Sequence, residues 1–292
     1  MPTVILPDRT LISVSGDDAE HLLQNVITCN VETLPESTAR AGALLTPQGK
    51  IMFDFLIWRD GSGGYTIDIR ADQVDAFLKR MTMYKLRSKV EFSVLDESLV
   101  GISFEGDSNF SDIDSTASFA DERFTAMAIN RILIAKDQAG QPSDDISVWH
   151  ALRITNGVAE GGYDFAFSDA FPHDVSLDQN HGVDFRKGCY VGQEVVSRMQ
   201  HRGTARKRVM IVAALGSLPE TGTEVSADGK PVGALGTVAG TSALMIGRLD
   251  RVKAAIDNGT KLIAGDTEID AVSLPPNIAY NWPSDEASTD AG

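Results

Sequence analysis

The residues with the most chemical potential sit together in Lys187-Gly188-Cys189-Tyr190-Val191-Gly192-Gln193-Glu194. Gly188 and Gly192 bracket Cys189 and Tyr190, so the backbone there is free to take positive φ or to approach a ligand closely. From Glu194 a run of helix formers continues without Gly or Pro until Gly203, a natural helix stop. A thiol just ahead of a helix start meets the positive end of the helix dipole, and Arg186 and Lys187 add charge of the same sign. Both effects favour the thiolate, the form that ligates soft metals or acts as a nucleophile. Cys189 is therefore the candidate catalytic residue and a candidate transient metal ligand. The plainer reading of the octapeptide is a turn with a partly buried thiol. From Arg198 to Arg208 the chain then carries five Arg or Lys residues and no acid, in a protein of formal net charge −15. That reversal of sign marks either a solvated face or a site for a small anion.

A chain of 292 residues is long enough for a sizeable core and for about two domains. No apolar run approaches the roughly 20 residues that span a membrane, and the opening MPTVILPDRT lacks the basic and apolar regions of a secretory leader. Only Cys29 and Cys189 are present, too few for a disulfide framework, which fits a reducing compartment. The expected location is the cytoplasm. The acidic balance argues against broad nucleic-acid binding but not against a local pocket for an anion.

These residues must be positioned by the elements around them. Strands are expected over 11–15, 41–45, 51–58, 65–70, 90–95, 99–104 and 129–135, from alternation and from turn residues such as Pro47 and Gly49. Helices are expected after Asp17, with Glu20 completing a capping box, over 71–83, and over 146–155 before Asn156-Gly157. Residues 105–123 are acidic and Ser-rich and read as a surface excursion, and 161–181 as irregular chain packed near the Cys189 loop. After Gly203 the runs 209–213, 224–226, 233–239, 243–248 and 267–272 are short and β-like, as in a small barrel or sandwich. A domain boundary is placed at 203–208, and the acidic tail 284–292 is expected to be disordered.

The chain resembles the YgfZ family, folate-binding iron–sulfur maintenance proteins related to the T-protein of the glycine cleavage system. The resemblance rests on Gly16-Asp17-Asp18-Ala19 with Leu22-Leu23-Gln24-Asn25, on Leu45-Thr46-Pro47-Gln48-Gly49-Lys50, on Arg153-Ile154 with Gly157, and above all on Lys187–Glu194 with Arg198 and Arg202-Gly203. It implies an α+β fold: pseudo-symmetric αβ halves around a central folate channel over 1–203, and a C-terminal β-barrel over 208–282. It implies an accessory role in iron–sulfur cluster assembly or repair, indirectly supporting tRNA modification, with iron–sulfur client or scaffold proteins as partners. The implied cofactor is tetrahydrofolate or a polyglutamylated derivative, with no stably bound metal. The implied binding residues are Asp54, Arg153, Tyr190, Gln193, Arg198 and Arg202.

Two departures bear on activity. T-proteins carry paired acids just after the hairpin glycine, where this chain has Asp54 with Phe53 beside it; they also tend to have an acid where this chain has Thr155. An aminomethyl-type transferase and a non-catalytic adaptor for scaffold proteins therefore stand as alternatives, and whether any reaction is catalysed stays open. The carboxylates of a folate tail need cations, and a second cluster, Lys79, Arg80, Lys85, Arg87 and Lys89, competes with the Arg198–Arg208 run for that role. His173 and His181 are read as structural more readily than as metal ligands, and Cys29 as core.

Overall fold

The computed structural model describes residues 3–104, 115–136, 145–276 and 278–282. Part of the expected excursion, 105–114, and the tail 284–292 lie outside the described residues.

Two-residue alternation and well-placed turns build the first part of the chain into a sheet. Strands β1 (Val4–Ile5) and β2 (Arg9–Ser15) lead to helix α1 (Ala19–Val26). Strands β3 (Thr38–Leu45), β4 (Ile51–Arg59) and β5 (Tyr65–Arg70) then form an antiparallel meander. Helix α2 (Val74–Lys85) follows, and β6 (Glu91–Val94) returns beside β2. Next come β7 (Ser98–Phe104), β8 (Ser115–Asp121), β9 (Ile129–Ala135) and α3 (Ile146–Asn156). The strands order as β1-β7-β9-β8-β3-β4-β5-β2-β6 in one nine-stranded sheet. Every pairing is antiparallel except β3–β8, where Thr38 faces Ala120 and Ala39 faces Asp121 in parallel. That one seam joins the two strand groups.

Two expectations are corrected here. Residues 115–121, assigned to a surface excursion, form β8 in the middle of the sheet. The run is poor in aliphatics, but Phe119 stacks on Trp58 at 4.9 Å, and Asp121 at its end is buried against arginines. The capping box of α1 does not form: Asp18 is the N-cap and makes no cap bond from its side chain. Asp18 Oδ2 instead accepts from the Lys89 backbone N–H at 2.7 Å, while Asp17 pairs with Lys89 Nζ at 3.0 Å. The acids thus tie the helix start to the α2–β6 connection.

One apolar cluster sits beneath α1 and α2, where Leu23, Ile27 and Phe77 are fully buried and Phe77 meets Phe53 edge-on. A second surrounds Trp58 and Trp149 and takes in Val175, Tyr190 and Val196 from the later chain. Gly157 ends α3 at φ 68°, and apart from a short 3-10 turn at Pro172–Val175 the chain stays irregular until α4 (Gln193–Arg202).

The remaining strands are β10 (Lys207–Ala213), β11 (Glu224–Ala227), β12 (Lys230–Ala239), β13 (Ser242–Arg248), β14 (Leu262–Ala264), β15 (Thr267–Ile269) and β16 (Ala271–Ser273), with helix α5 (Leu249–Asp257) between β13 and β14. Their order, β15-β14-β11-β12-β13-β10-β16, puts β15 and β16 at opposite ends of the sheet. Yet these two are one chain run, interrupted only at Asp270, so the sheet curls nearly closed into a barrel. Asp270 fixes the junction, its N–H donating to Ala213 O at 2.9 Å and its Oδ2 accepting from Leu215 N–H at 2.6 Å. The sequence reading passes over α5 and β14. Leu249, Val252 and Ala255 give α5 a buried stripe that is regular but short.

Candidate functional site

Cys189 is free and exposed. What holds its loop in place is glycine packing. Gly192 takes φ 80° as the N-cap of α4, and a β-carbon there would stand 2.6 Å from Thr46 O and 3.1 Å from Gly49 Cα. Gly49, also at φ 80°, is close-packed too, though less severely: a β-carbon there would stand 3.0 Å from Val195 Cβ and 3.3 Å from Gly192 O. The β3–β4 turn and the Cys189 loop are therefore cross-braced through two glycines, and each motif requires the other. Helix α4 starts at Gln193, one residue before its expected start, and stops at Gly203 in the left-handed conformation.

Lys187 does not act as the loop was read to use it. Its Nζ is buried and donates to Ile27 O at 3.0 Å and Cys29 O at 2.6 Å, capping carbonyls at the end of α1. Burial pulls this ammonium down to about 8, against the weaker pull of Cys29 and Asp184. Cys29 is core, as expected; burial pushes its thiol up to about 11, so it offers no second soft ligand. His173 is buried with Nε2 against Gln200 Oε1 at 3.1 Å, and His181 is exposed. Among the described residues, no group of three or more His, Cys, Asp or Glu could hold a metal ion.

The second place with chemistry is a narrow cavity at the middle of the sheet, lined by Arg9, Gly42, Asp54, Arg123, Phe165 and Asn180 among others. Asp54, on β4, accepts from the Gly161 N–H at Oδ2, 3.0 Å, while its Oδ1 is buried with no partner among the described residues. Burial raises the Asp54 carboxyl above its ordinary value, partly offset by the Gly161 N–H and Arg9. The cavity volume is about 20 Å³, room for about one water.

Beside it lies a buried ionic lattice that sequence reasoning missed almost entirely. Glu160 is its hub, at 3.1 Å from Arg123, 3.3 Å from Arg131 and 3.4 Å from Arg153. Asp121 pairs with Arg123 at 2.7 Å, Arg131 also approaches Asp68, and Asp68 holds Arg9 at 2.6 Å. Burial alone would raise the Glu160 carboxyl, but Arg153, Arg123, Arg9 and Arg131 together hold it well below the usual carboxylate range. Glu160 and Asp164 stand in Ala159-Glu160-Gly161-Gly162-Tyr163-Asp164, where the signal was a pair of acids among glycines in an otherwise apolar stretch.

The structure scatters the sequence-derived residues. Arg153 is fully buried in the lattice, with Asp164 at 2.5 Å and Thr237 Oγ1 of the barrel at 2.6 Å, and does not line the cavity. Thr155 is exposed, its hydroxyl turned back to Ala151 O at 2.9 Å. Tyr190 packs its ring into the core with its hydroxyl buried and unpartnered. Gln193 is half-buried in the first turn of α4, and Arg198 and Arg202 are exposed farther along it. Arg208 is instead buried against Asp178 at 2.7 Å and His173 O at 2.6 Å. Asp54 and the loop–helix group are two separate places.

Comparison with known proteins gives this geometry a context. Residues 206–283 match the family profile described as CAF17, C-terminal beta-barrel domain. The iron-sulfur cluster assembly factor IBA57 homolog, mitochondrial, of Pyricularia oryzae is 34% identical over 217 residues, covering 70% of this chain and 55% of that protein. The protein of the same description in Mycosarcoma maydis is 34% identical over 223 residues, with 70% and 55% covered. This chain is thus similar to CAF17 over its last part and to IBA57 proteins over 70% of its length. It spans about 55% of the length of those two relatives. The crystal structure of glycine cleavage system aminomethyltransferase T from Bartonella henselae superposes with TM-score 0.69 over 94% of this chain and 84% of that one. At 14% identity that likeness establishes the fold: a T-protein-like α+β architecture with a C-terminal barrel.

Proposed function

We propose that this protein is a YgfZ-type accessory factor in iron–sulfur cluster assembly or repair, indirectly supporting tRNA modification. The observation that carries the reading is Cys189, an exposed thiol on a loop cross-braced by Gly49 and Gly192, with no companion ligands among the described residues. A cluster needs several donors, so one displayed thiol suits transient contact with a cluster that a partner protein holds. The names of the relatives, iron-sulfur cluster assembly factors, agree with that role. Client or scaffold proteins of iron–sulfur assembly are the proposed partners. The site of action is a reducing compartment, the cytoplasm by the sequence reading, whereas the relatives are named as mitochondrial.

Reduced folate is the proposed small-molecule ligand of the central cavity. The donor set fits the polar edge of a pterin: Asp54 Oδ1 is an unsatisfied acceptor, Arg9 and Arg123 stand beside it, and Phe55 and Phe165 supply apolar wall. The volume fits only a water, so ring binding requires wall side chains such as Phe165 and Leu177 to move aside. Arg198 and Arg202 would meet the carboxylates of a polyglutamyl tail. One-carbon transfer remains the second reading, favoured by the Asp54 carboxyl, which burial raises above its ordinary value so that it keeps its proton to higher pH than an exposed acid.

Two measurements test the proposal. Titration with tetrahydrofolate should show saturable binding that Asp54→Ala weakens; absence of binding moves the function to the adaptor reading. Cys189→Ser should fold and bind folate normally yet fail to restore iron–sulfur enzyme activity in cells lacking the wild-type protein. Full rescue at wild-type expression would sink the role given to the thiol.

A further inference from the structure

The cation cluster at the end of α2 is left unused by this function. Lys79 and Met83 lie one turn apart on the outer face of α2, opposite the buried Val74, Phe77 and Met81. Met83 is 59% exposed and Leu86 85% exposed, among the largest exposed apolar side chains of the described residues. Leu86 is also held in an uncommon backbone conformation, φ 48° and ψ −105°, as the helix ends. Leucine at positive φ is strained, and a glycine there would serve the turn with no side chain in water. The position thus combines a conformational penalty with an exposed hydrophobe, and the fold draws nothing from either.

The surroundings say what such a side chain could meet. Leu86, Arg87 and Ser88 form one wall of an open hollow whose other wall is Asp18 and His21 at the start of α1. Lys79 and Arg87 are exposed with no salt bridge among the described residues, whereas Lys89 is taken by Asp17. The apolar pair therefore stands beside two exposed cations without salt bridges, with half-buried Arg80 and Lys85 adjoining, on a chain whose formal charge is −15. Exposed acids at Asp75 and Glu91, with half-buried Asp18, border the patch and limit the basic area to a small footprint. A planar anionic membrane would press on those acids as well, whereas a protein partner can match the footprint alone.

We propose that Met83 and Leu86, flanked by Lys79 and Arg87, form a docking surface for a protein partner that presents carboxylates around an apolar slot. Leu86 is the anchor and its strained backbone points it outward; the cations steer and orient the approach. This surface is distinct from the Cys189 loop and the central cavity, and it stands whether or not folate binds.

The test uses the full chain with two short synthetic peptides, one of alternating Asp and Leu and the other with every Leu replaced by Ser. Backbone amide shifts should move at 83–88 and at His21 with the Asp–Leu peptide. Leu86→Gly should weaken that binding about tenfold or more, the scale of one buried leucine, while raising the melting temperature by relieving the positive φ. Arg87→Glu should weaken it too and flatten its salt dependence. Equal affinity for the Ser peptide, unchanged affinity in Leu86→Gly, or a lower melting temperature in that variant would overturn the proposal. So would Leu86-dependent binding to phosphatidylserine vesicles without peptide binding, or self-association lost in Leu86→Gly.

Discussion

Two sets of arginines in this molecule behave in opposite ways. Arg9, Arg123, Arg131 and Arg153 are buried, and each is met by Asp68, Asp121, Glu160 or Asp164. Arg198, Arg202 and Arg206 are exposed, with no salt bridge among the described residues. The first set has lost its water and is held by compensating acids; it braces the sheet against the barrel through Thr237. The second set keeps its water and is free to exchange it for a ligand. Residue type is therefore a poor guide to role, and the presence of a matched acid is a good one.

The largest effect that can break this contrast is at Glu160. Glu160→Gln leaves Arg123, Arg131 and Arg153 without their shared counter-charge, which should destabilise by roughly 3–5 kcal/mol, the usual cost of breaking a buried ion pair. Urea unfolding measures it, and a loss under about 1 kcal/mol would mean the lattice is not structural. The wild type should also lose stability as pH falls below the unfolded glutamate value of about 4.3, because a carboxyl held low when folded must be protonated against its arginines. Glu160→Gln should flatten that acid limb.

A middle-sized effect is expected where the thiol loop is braced. Gly192→Ala places a β-carbon 2.6 Å from Thr46 O at φ 80°, so a loss of roughly 1–3 kcal/mol is expected. The alkylation rate of Cys189 should change with it. Gly188→Ala, with nothing within 4 Å of the added carbon, should change neither. Equal behaviour of the two variants would show that the glycine contact does not set the loop.

The smallest stability effects belong to the exposed set. Arg198→Ala and Arg202→Ala should stay within about 0.5 kcal/mol of wild type. They should weaken polyglutamyl folate more than monoglutamyl folate, by a margin that shrinks as salt rises. Equal weakening of both ligands would remove the tail-binding role and leave these side chains as solvated surface.

Most strands and helices were legible because their periodicity is local: β5 and β9 match their expected limits of 65–70 and 129–135. β8 was not, because its only large apolar residue is one phenylalanine and its stability comes from partners far along the chain. The motif carrying Cys189 was legible, as was its dependence on glycine, but not the second motif that fills the glycine's missing side chain. Arg153 was visible as a marked residue, but its place in a buried ionic lattice was not. The acids that claim it, Glu160 and Asp164, lie in irregular chain where no period points inward.

The contact of Lys187 with the end of α1 has a consequence for any complex this protein forms. Swinging the thiol loop would strip Ile27 O and Cys29 O of their donor inside the core, leaving acceptors that nothing else replaces. The sulfur atom is thus a fixed landmark on the surface rather than a reaching arm. A partner must bring its own atoms to that landmark at one angle, and little chain entropy is left to be lost from this side when it does.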